Sequence, residues 1–291
     1  MLPKSEKHGY QIAGIRICIE VPESEWDGDE GLLREYCKEI ETADYFVSCY
    51  LVDHLSVPEG ESVFRSKDRR VYRDCDRQLT FLGPVEKTLD KADCGISRQD
   101  NRTQIEFLRY TSNTRIKSRL VLGALDLPHM LIEKNGFILH ASFIEHEGRA
   151  ILFTAPSETG KSTQAQLWCD HRGAELVNGD RAAVRVIDGK IYACGVPFAG
   201  SSRIRKNRIL PLTAIVYLSQ APENTITKLR GFRAFRSVWE GITLNTWDRD
   251  DVEKATQTLS TVLSGIPVYH LACTPDVRAV ELLKQTLEVD L

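Results

Sequence analysis

The segment from Ala155 to Thr163 carries the clearest chemical signature of the chain, and it reads Ala-Pro-Ser-Glu-Thr-Gly-Lys-Ser-Thr. Its end has the Gly-Lys-Ser/Thr sequence of phosphate-binding loops, in which the glycine lets the backbone approach the phosphates and the lysine reaches the β and γ phosphates. Gly160 and Lys161 take those positions, and the Ser162 hydroxyl is placed to bind Mg²⁺. Ala155 stands where such loops usually have their first glycine. The alternative interpretation is a turn with a purely structural role and no bound nucleotide.

The motif therefore predicts a site for ATP and Mg²⁺. The predicted nucleotide-binding residues are Ala155, Pro156, Ser157, Glu158, Thr159, Gly160, Lys161, Ser162 and Thr163.

Two more side chains could complete a phosphotransferase site. Asp180 follows a short apolar stretch, and a carboxylate there could hold Mg²⁺ or accept a proton from an attacking hydroxyl. The sequence Asn-Gly-Asp around it also favours a turn, so a structural role is the alternative. His140 lies on the strand before the loop strand, where a histidine is more often a hydrogen-bonded core residue. Asp180, His140 and Lys161 are the candidate catalytic residues, and Ser162 and Asp180 are the candidate metal ligands.

Basic residues follow these candidates along the chain. Arg181, Arg203 and Arg205 could neutralise charge on a transferring phosphoryl group. The cluster from Arg203 to Arg208 could equally be a solvated face. The glycine-bearing stretch from Cys194 to Gly200 could form a loop over the site.

The elements around these residues predict an α/β catalytic domain over residues 134–291. The loop lies between an apolar strand and a helix that runs through Trp168 and stops at Gly173, and Asp188-Gly189 is a strong hairpin signal. A helix over 250–263 and a last helix with Thr274 as N-cap and Pro275 at its first position complete the pattern. Further strands are predicted over 137–144, 150–154, 174–177, 183–186, 190–193, 214–218 and 268–271.

The first part of the chain, residues 1–133, is predicted to be an α+β region that consists mainly of β-strands. Substrate recognition is a possible role for it. Its strand-like pieces are Gly14 to Glu20 and Tyr45 to Val52, separated by charged stretches. Residues 112–133 look helical, and Pro128 interrupts that pattern, so two shorter helices are the alternative to one. The fold class is therefore α/β (α+β) with two domains.

Composition narrows the function classes. Proteins that bind nucleic acid normally carry an excess of basic residues that neutralises phosphate groups. The net charge of this chain is −3, so nucleic acid is not expected as a partner. The polar start of the chain predicts no signal peptide, and no apolar run is long enough for a membrane span, so a cytoplasmic protein is expected. The eight cysteines form no CxxC pair and no Cys/His grouping with zinc spacing, which favours reduced thiols. The sequence does not determine the oligomeric state, and a homo-oligomer is one of the possibilities.

From His140 to Asp180 the sequence resembles the catalytic domain of the HPr kinase/phosphorylase family. That family has a histidine on a strand, an apolar strand into a loop ending Gly-Lys-Ser, a helix, and a short strand ending in two Asp residues. Asp180 matches the second Asp, and Gly179 stands where the first is expected. The family's Glu-x-x-Gly metal-binding segment has no clear counterpart, and the first 130 residues lie outside the resemblance.

The variant loop is most similar to HPr kinase-like proteins associated with lasso and other ribosomal peptide biosynthesis. This resemblance implies a P-loop serine kinase that transfers the γ-phosphoryl group of ATP to a peptide or protein hydroxyl, with Asp180 acting on that hydroxyl and His140 supporting it. Two alternatives remain open: a nucleotide-binding regulatory protein without catalysis, and a small-molecule kinase.

Overall fold

The computed structural model describes residues 4–27, 33–74, 77–109, 115–200 and 202–290. The chain divides into two compact units, Met1–Asp126 and Leu127–Leu291. Cys75, the chain's first three residues and residues 112–114 of the predicted helical stretch lie outside the described residues. In the described parts, no helix is both long and apolar enough to cross a membrane.

The first unit is built on one mixed sheet. Its strands are β1 (Ser5–Ile12), β2 (Ile15–Pro22), β3 (Tyr45–Val52), β4 (Phe64–Arg65), β5 (Arg69–Asp74), β6 (Arg77–Leu82), β7 (Cys94–Gln99) and β8 (Arg102–Leu108). They lie in the order β1-β2-β3-β8-β7-β6-β5-β4. Strand β3 is parallel to both of its neighbours, and the other pairs are antiparallel. Alternate residues of β3 are buried, which is the pattern of a strand with one face on a core. This unit is mainly β, as the sequence predicted.

The stretch predicted as helical contains two helices in its described part. Helix α1 is Ser118–Ala124 and helix α2 is Leu127–Glu133. The break falls at Leu125, whose backbone is extended, and Pro128 lies in the first turn of α2. Proline is tolerated there because the first N–H groups of a helix have no partner within it. Helix α2 belongs to the second unit, so the chain divides slightly before the expected boundary at 133/134.

The second unit has a larger mixed sheet. Its strands are β9 (Gly136–His146), β10 (Arg149–Thr154), β11 (Glu175–Asn178), β12 (Arg181–Ile187), β13 (Lys190–Gly195), β14 (Ile209–Gln220), β15 (Thr225–Leu229), β16 (Ile242–Thr243) and β17 (Val268–Cys273). The main path is β10-β9-β12-β13-β14-β17-β15, and β11 and β16 pair with β9. Strands β10, β14 and β17 run parallel, so their carboxyl ends meet at one edge.

Helices cover both faces of this sheet. The remaining helices of the described residues are α3 (Lys161–Arg172), α4 (Gly231–Trp239), α5 (Arg249–Gly265) and α6 (Val277–Asp290). Leu152 of β10 packs in one buried cluster with residues of α4 and α5. Its neighbour Phe153 packs in a second cluster with Trp168 of α3 and with α6. Since successive residues of a strand point to opposite faces, the two helix pairs lie on opposite sides.

Local sequence patterns had predicted most of these helices and strands. Each strand predicted in the second half is present, with ends that differ, and Gly173 ends α3 in the left-handed conformation with φ of 63°. The predicted start of the last helix is wrong. Helix α6 begins at Val277, and the Asp276 carboxylate accepts from the Arg278 backbone N–H at 2.9 Å. Asp276 is therefore the N-cap, and the Thr274 hydroxyl donates to its carboxylate at 2.8 Å. The seven described cysteines are free thiols.

Candidate functional site

The phosphate-loop candidate leaves the carboxyl end of β10 and enters α3. Two of its residues have left-handed backbone, Glu158 with φ of 64° and Gly160 with φ of 114°. A Cβ on Gly160 would meet nothing within 4 Å, so the backbone conformation, and not lack of space, favours glycine there. Thr159 Oγ1 donates to the Pro156 carbonyl at 2.9 Å and braces the turn. The predicted order of strand, loop and helix is present.

Lys161 is the first residue of α3, and its side chain is buried under the loop. Its Nζ donates to the carbonyls of Ala155 and Pro156 at 3.0 and 3.1 Å. Burial lowers the pKa of Lys161, and the negative charge of Asp180 opposes that shift. The Lys161 ammonium and the Asp180 carboxylate are therefore close enough for their charges to interact.

Three side chains meet next to this lysine. His140 on β9 faces Arg181 at the start of β12 in the antiparallel register. His140 Nε2 lies 3.5 Å from one oxygen of Asp180, and Arg181 Nε lies 3.2 Å from the other. All three side chains are partly exposed, with 39%, 29% and 39% of their surface accessible for His140, Asp180 and Arg181. The structure thus brings the predicted His140, Asp180 and Arg181 together, and solvent reaches all three side chains.

The charges around His140 disfavour its protonation. Burial lowers its pKa most, the ammonium of Lys161 lowers it further, and only Asp180 raises it. The net direction is downward from the ordinary value of 6.5. His140 is therefore a neutral imidazole at neutral pH, able to donate one hydrogen bond and accept another.

Asn178 holds Asp180 in place. From the sequence, only a turn was predicted at this residue. Its side chain is fully buried. Its Oδ1 accepts from the backbone N–H groups of Asp180 and Arg181 at 2.9 and 3.0 Å. Its Nδ2 donates to the carbonyls of Val196 and Phe198 at 3.1 and 2.7 Å. The turn before β12 is thereby fixed to the loop after β13. The signal in the sequence was Asn-Gly-Asp itself, since Asn side chains often bond the backbone two residues on.

The glycine-bearing loop after β13 lies against the turn that carries Asp180. A Cβ on Gly200 would come within 2.9 Å of Asp180 Cβ, and a Cβ on Gly179 would come within 2.5 Å of Ser202 Oγ. The guanidinium of Arg181 lies over the Phe198 ring, 5.4 Å from its centroid. The loop predicted as a cover therefore packs directly on the acidic side chain.

Two predicted arginines are not in contact with this group among the described interactions. Arg203 donates its backbone N–H to the Gly200 carbonyl at 3.1 Å, and Arg205 NH1 donates to the Arg203 carbonyl at 3.3 Å. The backbone of Arg205 forms an isolated bridge with Asn178, so the basic stretch runs beside the turn. Their role in charge neutralisation stays a prediction.

Ser162 and Thr163, in the first turn of α3, are exposed. The Ser162 hydroxyl and the Asp180 carboxylate are oxygen donors of the kind that Mg²⁺ prefers, so the residue types fit the ion. A cavity of about 1000 Å³ is bordered by α4, by the end of α5 and by residues such as Arg149, Lys228 and Phe232. No residue of the phosphate-loop candidate lines this cavity, so the cavity and the group around Asp180 are separate features of the second unit.

No protein-family model matches the chain. No curated protein matches it either. Among solved structures, it is similar to the Hpr(Ser) kinase/phosphatase from Coxiella burnetii, with 13% sequence identity and a TM-score of 0.31, over 53% of this chain and 99% of that one. A similarity at that TM-score is weak and supports no argument about activity.

Proposed function

We propose that this chain is an ATP-dependent kinase that transfers the γ-phosphoryl group to a hydroxyl, with a serine side chain of a peptide or protein as the acceptor. The observation that supports it most is the grouping of Lys161, His140 and Asp180 at one end of the phosphate-loop candidate. A loop alone would only bind a nucleotide. A carboxylate with a neutral imidazole beside it adds the means to act on a hydroxyl.

Binding of ATP uses the loop and the start of α3. Backbone N–H groups of the loop and the amino end of the helix favour phosphate oxygens, because the helix dipole and unpaired donors attract negative charge. Lys161 moves its ammonium from the carbonyls of Ala155 and Pro156 to the phosphates. Mg²⁺, held by the Ser162 hydroxyl, would neutralise charge on the β and γ phosphates.

Transfer needs an oriented hydroxyl. Asp180 accepts the proton of the acceptor hydroxyl, whose oxygen forms the new bond to the γ phosphorus while the bond to the bridging β–γ oxygen breaks and ADP leaves. His140, neutral and 3.5 Å from Asp180, orients the carboxylate. Arg181, held over Phe198, offsets negative charge as the phosphoryl group moves.

The finer assignment rests on the resemblance of the residues from His140 to Asp180 to the HPr kinase/phosphorylase family. The variant loop and the Asn-Gly-Asp-Arg turn direct the proposal to HPr kinase-like enzymes of lasso and related peptide biosynthesis. The proposed acceptor is accordingly a serine of a precursor peptide, and the proposed compartment is the cytoplasm.

The test measures binding and transfer separately. Radiolabelled ATP with Mg²⁺ is offered to the full chain with synthetic serine peptides, including some with serine near the carboxyl end. Lys161→Ala should lose ATP binding and transfer, whereas Asp180→Asn should bind ATP and transfer nothing. Lys190→Ala, at a lysine that starts β13, is the matched control and should behave as wild type. Full activity of Asp180→Asn would overturn the catalytic assignment.

One observation favours a second candidate, a regulatory protein that binds nucleotide without catalysis. Gly179 leaves the site with a single carboxylate where the resembled family has two. Retention of labelled ATP with no labelled product from any peptide would support this candidate. Label in a metabolite instead of a peptide would indicate a small-molecule kinase.

A further inference from the structure

A second group of chemically active side chains lies in the same unit, at the junction of α2 and α5. His129 and Glu133 stand four residues apart on α2, so they share one face of that helix. Asp251 lies in the first turn of α5. One ligand atom from each of the three lies within 4.8 Å of the others, and among the described residues this is the one such group of His, Cys, Asp or Glu.

The central member is a buried carboxylate. The side chain of Asp251 is 1% exposed and that of His129 is 14% exposed. His129 Nδ1 lies 2.7 Å from Asp251 Oδ1, and Asn245 Nδ2 donates to the other oxygen at 3.2 Å. A buried carboxylate is costly unless a positive charge or several donors compensate it. Asn245 fixes the orientation of the carboxylate and leaves Oδ1 directed at the imidazole.

We propose that His129, Glu133 and Asp251 form a binding site for a divalent transition-metal ion of the zinc class. One imidazole nitrogen and two carboxylate oxygens are ligands that suit Zn²⁺, whereas Mg²⁺ prefers oxygen alone. Three protein ligands leave a fourth position for water. The site is independent of the ATP site, because it shares no residue with it.

Lys254 is the competitor of the ion. Its Nζ lies 2.6 Å from Glu133 Oε1, and this hydrogen bond is the main reason that the pKa of Lys254 is raised. A metal ion must displace that ammonium, which lowers its apparent affinity. Lys254→Met removes the competing charge and leaves all three ligands, so the variant should bind the ion more tightly.

The site joins two helices of the second unit. Helix α2 packs against β9, the strand that carries His140, and against α5. An ion held by both helices would stabilise the folded chain, since a ligand that binds only the folded state stabilises it by RT ln(1 + [L]/Kd). The expected effect of the ion is therefore a more stable second unit.

The experiment uses the full chain, stripped with a chelator and free of nucleotide. Isothermal titration with Zn²⁺ should show one ion per chain, Co²⁺ should give the intense visible absorption of a four-coordinate ion, and Zn²⁺ should raise the melting temperature. His129→Gln and Glu133→Gln should each weaken binding by about tenfold or more, with circular dichroism confirming that they fold. Lys254→Met should strengthen it.

The matched control is His146→Gln, at another histidine near a carboxylate, with Glu147 Oε1 at 3.9 Å. It should bind Zn²⁺ as wild type does, and so should Lys161→Ala, whose nucleotide site is impaired. Absence of stoichiometric binding, or unchanged affinity in His129→Gln and Glu133→Gln, would overturn the metal site and leave the kinase proposal untouched.

Discussion

His140 Nε2 and Asp180 Oδ1 lie 3.5 Å apart, although 40 positions separate the two residues along the chain. The antiparallel register of β9 and β12 makes this contact, because it sets His140 opposite Arg181, the residue after Asp180. The Asn178 side chain then holds the backbone of the turn. The pair is therefore fixed by sheet pairing and a buried amide together.

The charges around His140 predict how its pKa responds to its neighbours. Lys161 lowers that pKa and Asp180 raises it. The pKa of His140 should therefore rise in Lys161→Met and fall in Asp180→Asn, relative to wild type. Titration of the His140 imidazole resonances by NMR in wild type and in both variants measures it. Shifts of the opposite sign in either variant would contradict the geometry.

The depressed pKa of His140 also predicts a pH dependence of stability. Below the ordinary value of 6.5 the unfolded chain takes up a proton at this residue before the folded chain does. Wild type should therefore lose stability relative to His140→Gln as the pH falls from 6.5 through the lower pKa of the folded state. Above 6.5 the difference should be constant. Urea unfolding of both proteins over this range tests it, and a difference that does not change below pH 6.5 would refute it.

The loop, the helix after it and the hairpin at Asp188-Gly189 could be predicted from sequence because each depends on neighbours within a few residues. The meeting of His140 with Asp180 could be predicted only through a family resemblance, since strand register joins them. The group of His129, Glu133 and Asp251 left no local signal, because two helices far apart in sequence supply its ligands. The start of α6 was misplaced because Thr274 and Asp276 are both good N-caps, and hydrogen bonding selects the second.

The buried amide of Asn178 should be critical for stability as well as for activity. Asn178→Ala removes the partners of two carbonyls and two N–H groups that are bound by one fully buried side chain. Only the hydrogen bond to the Val196 carbonyl is fully buried, and the other three are partly exposed. A loss of roughly 3 kcal/mol of unfolding free energy is therefore expected, at the upper end of the cost of about 1–3 kcal/mol for one unsatisfied buried group. Asn101→Ala, which removes one exposed hydrogen bond to the Asp44 carbonyl, should cost less than about 0.5 kcal/mol. Equal losses in the two variants, by urea unfolding, would argue against this role.

Gly179 and Ser202 should behave as a compensating pair. A Cβ on Gly179 would lie 2.5 Å from Ser202 Oγ and 3.1 Å from Ser202 Cβ, so Gly179→Ala forces the loop away from the turn that carries Asp180. A cost of about 1–3 kcal/mol is expected from such overpacking, with slower phosphoryl transfer and little change in ATP binding. Ser202→Gly alone removes only a weak acceptor for the Ile204 N–H at 3.3 Å and should be nearly neutral. In the double variant the clash disappears, so thermal stability and transfer rate should both recover. A double-mutant cycle measures the coupling, and purely additive effects would show that the two residues do not meet in solution.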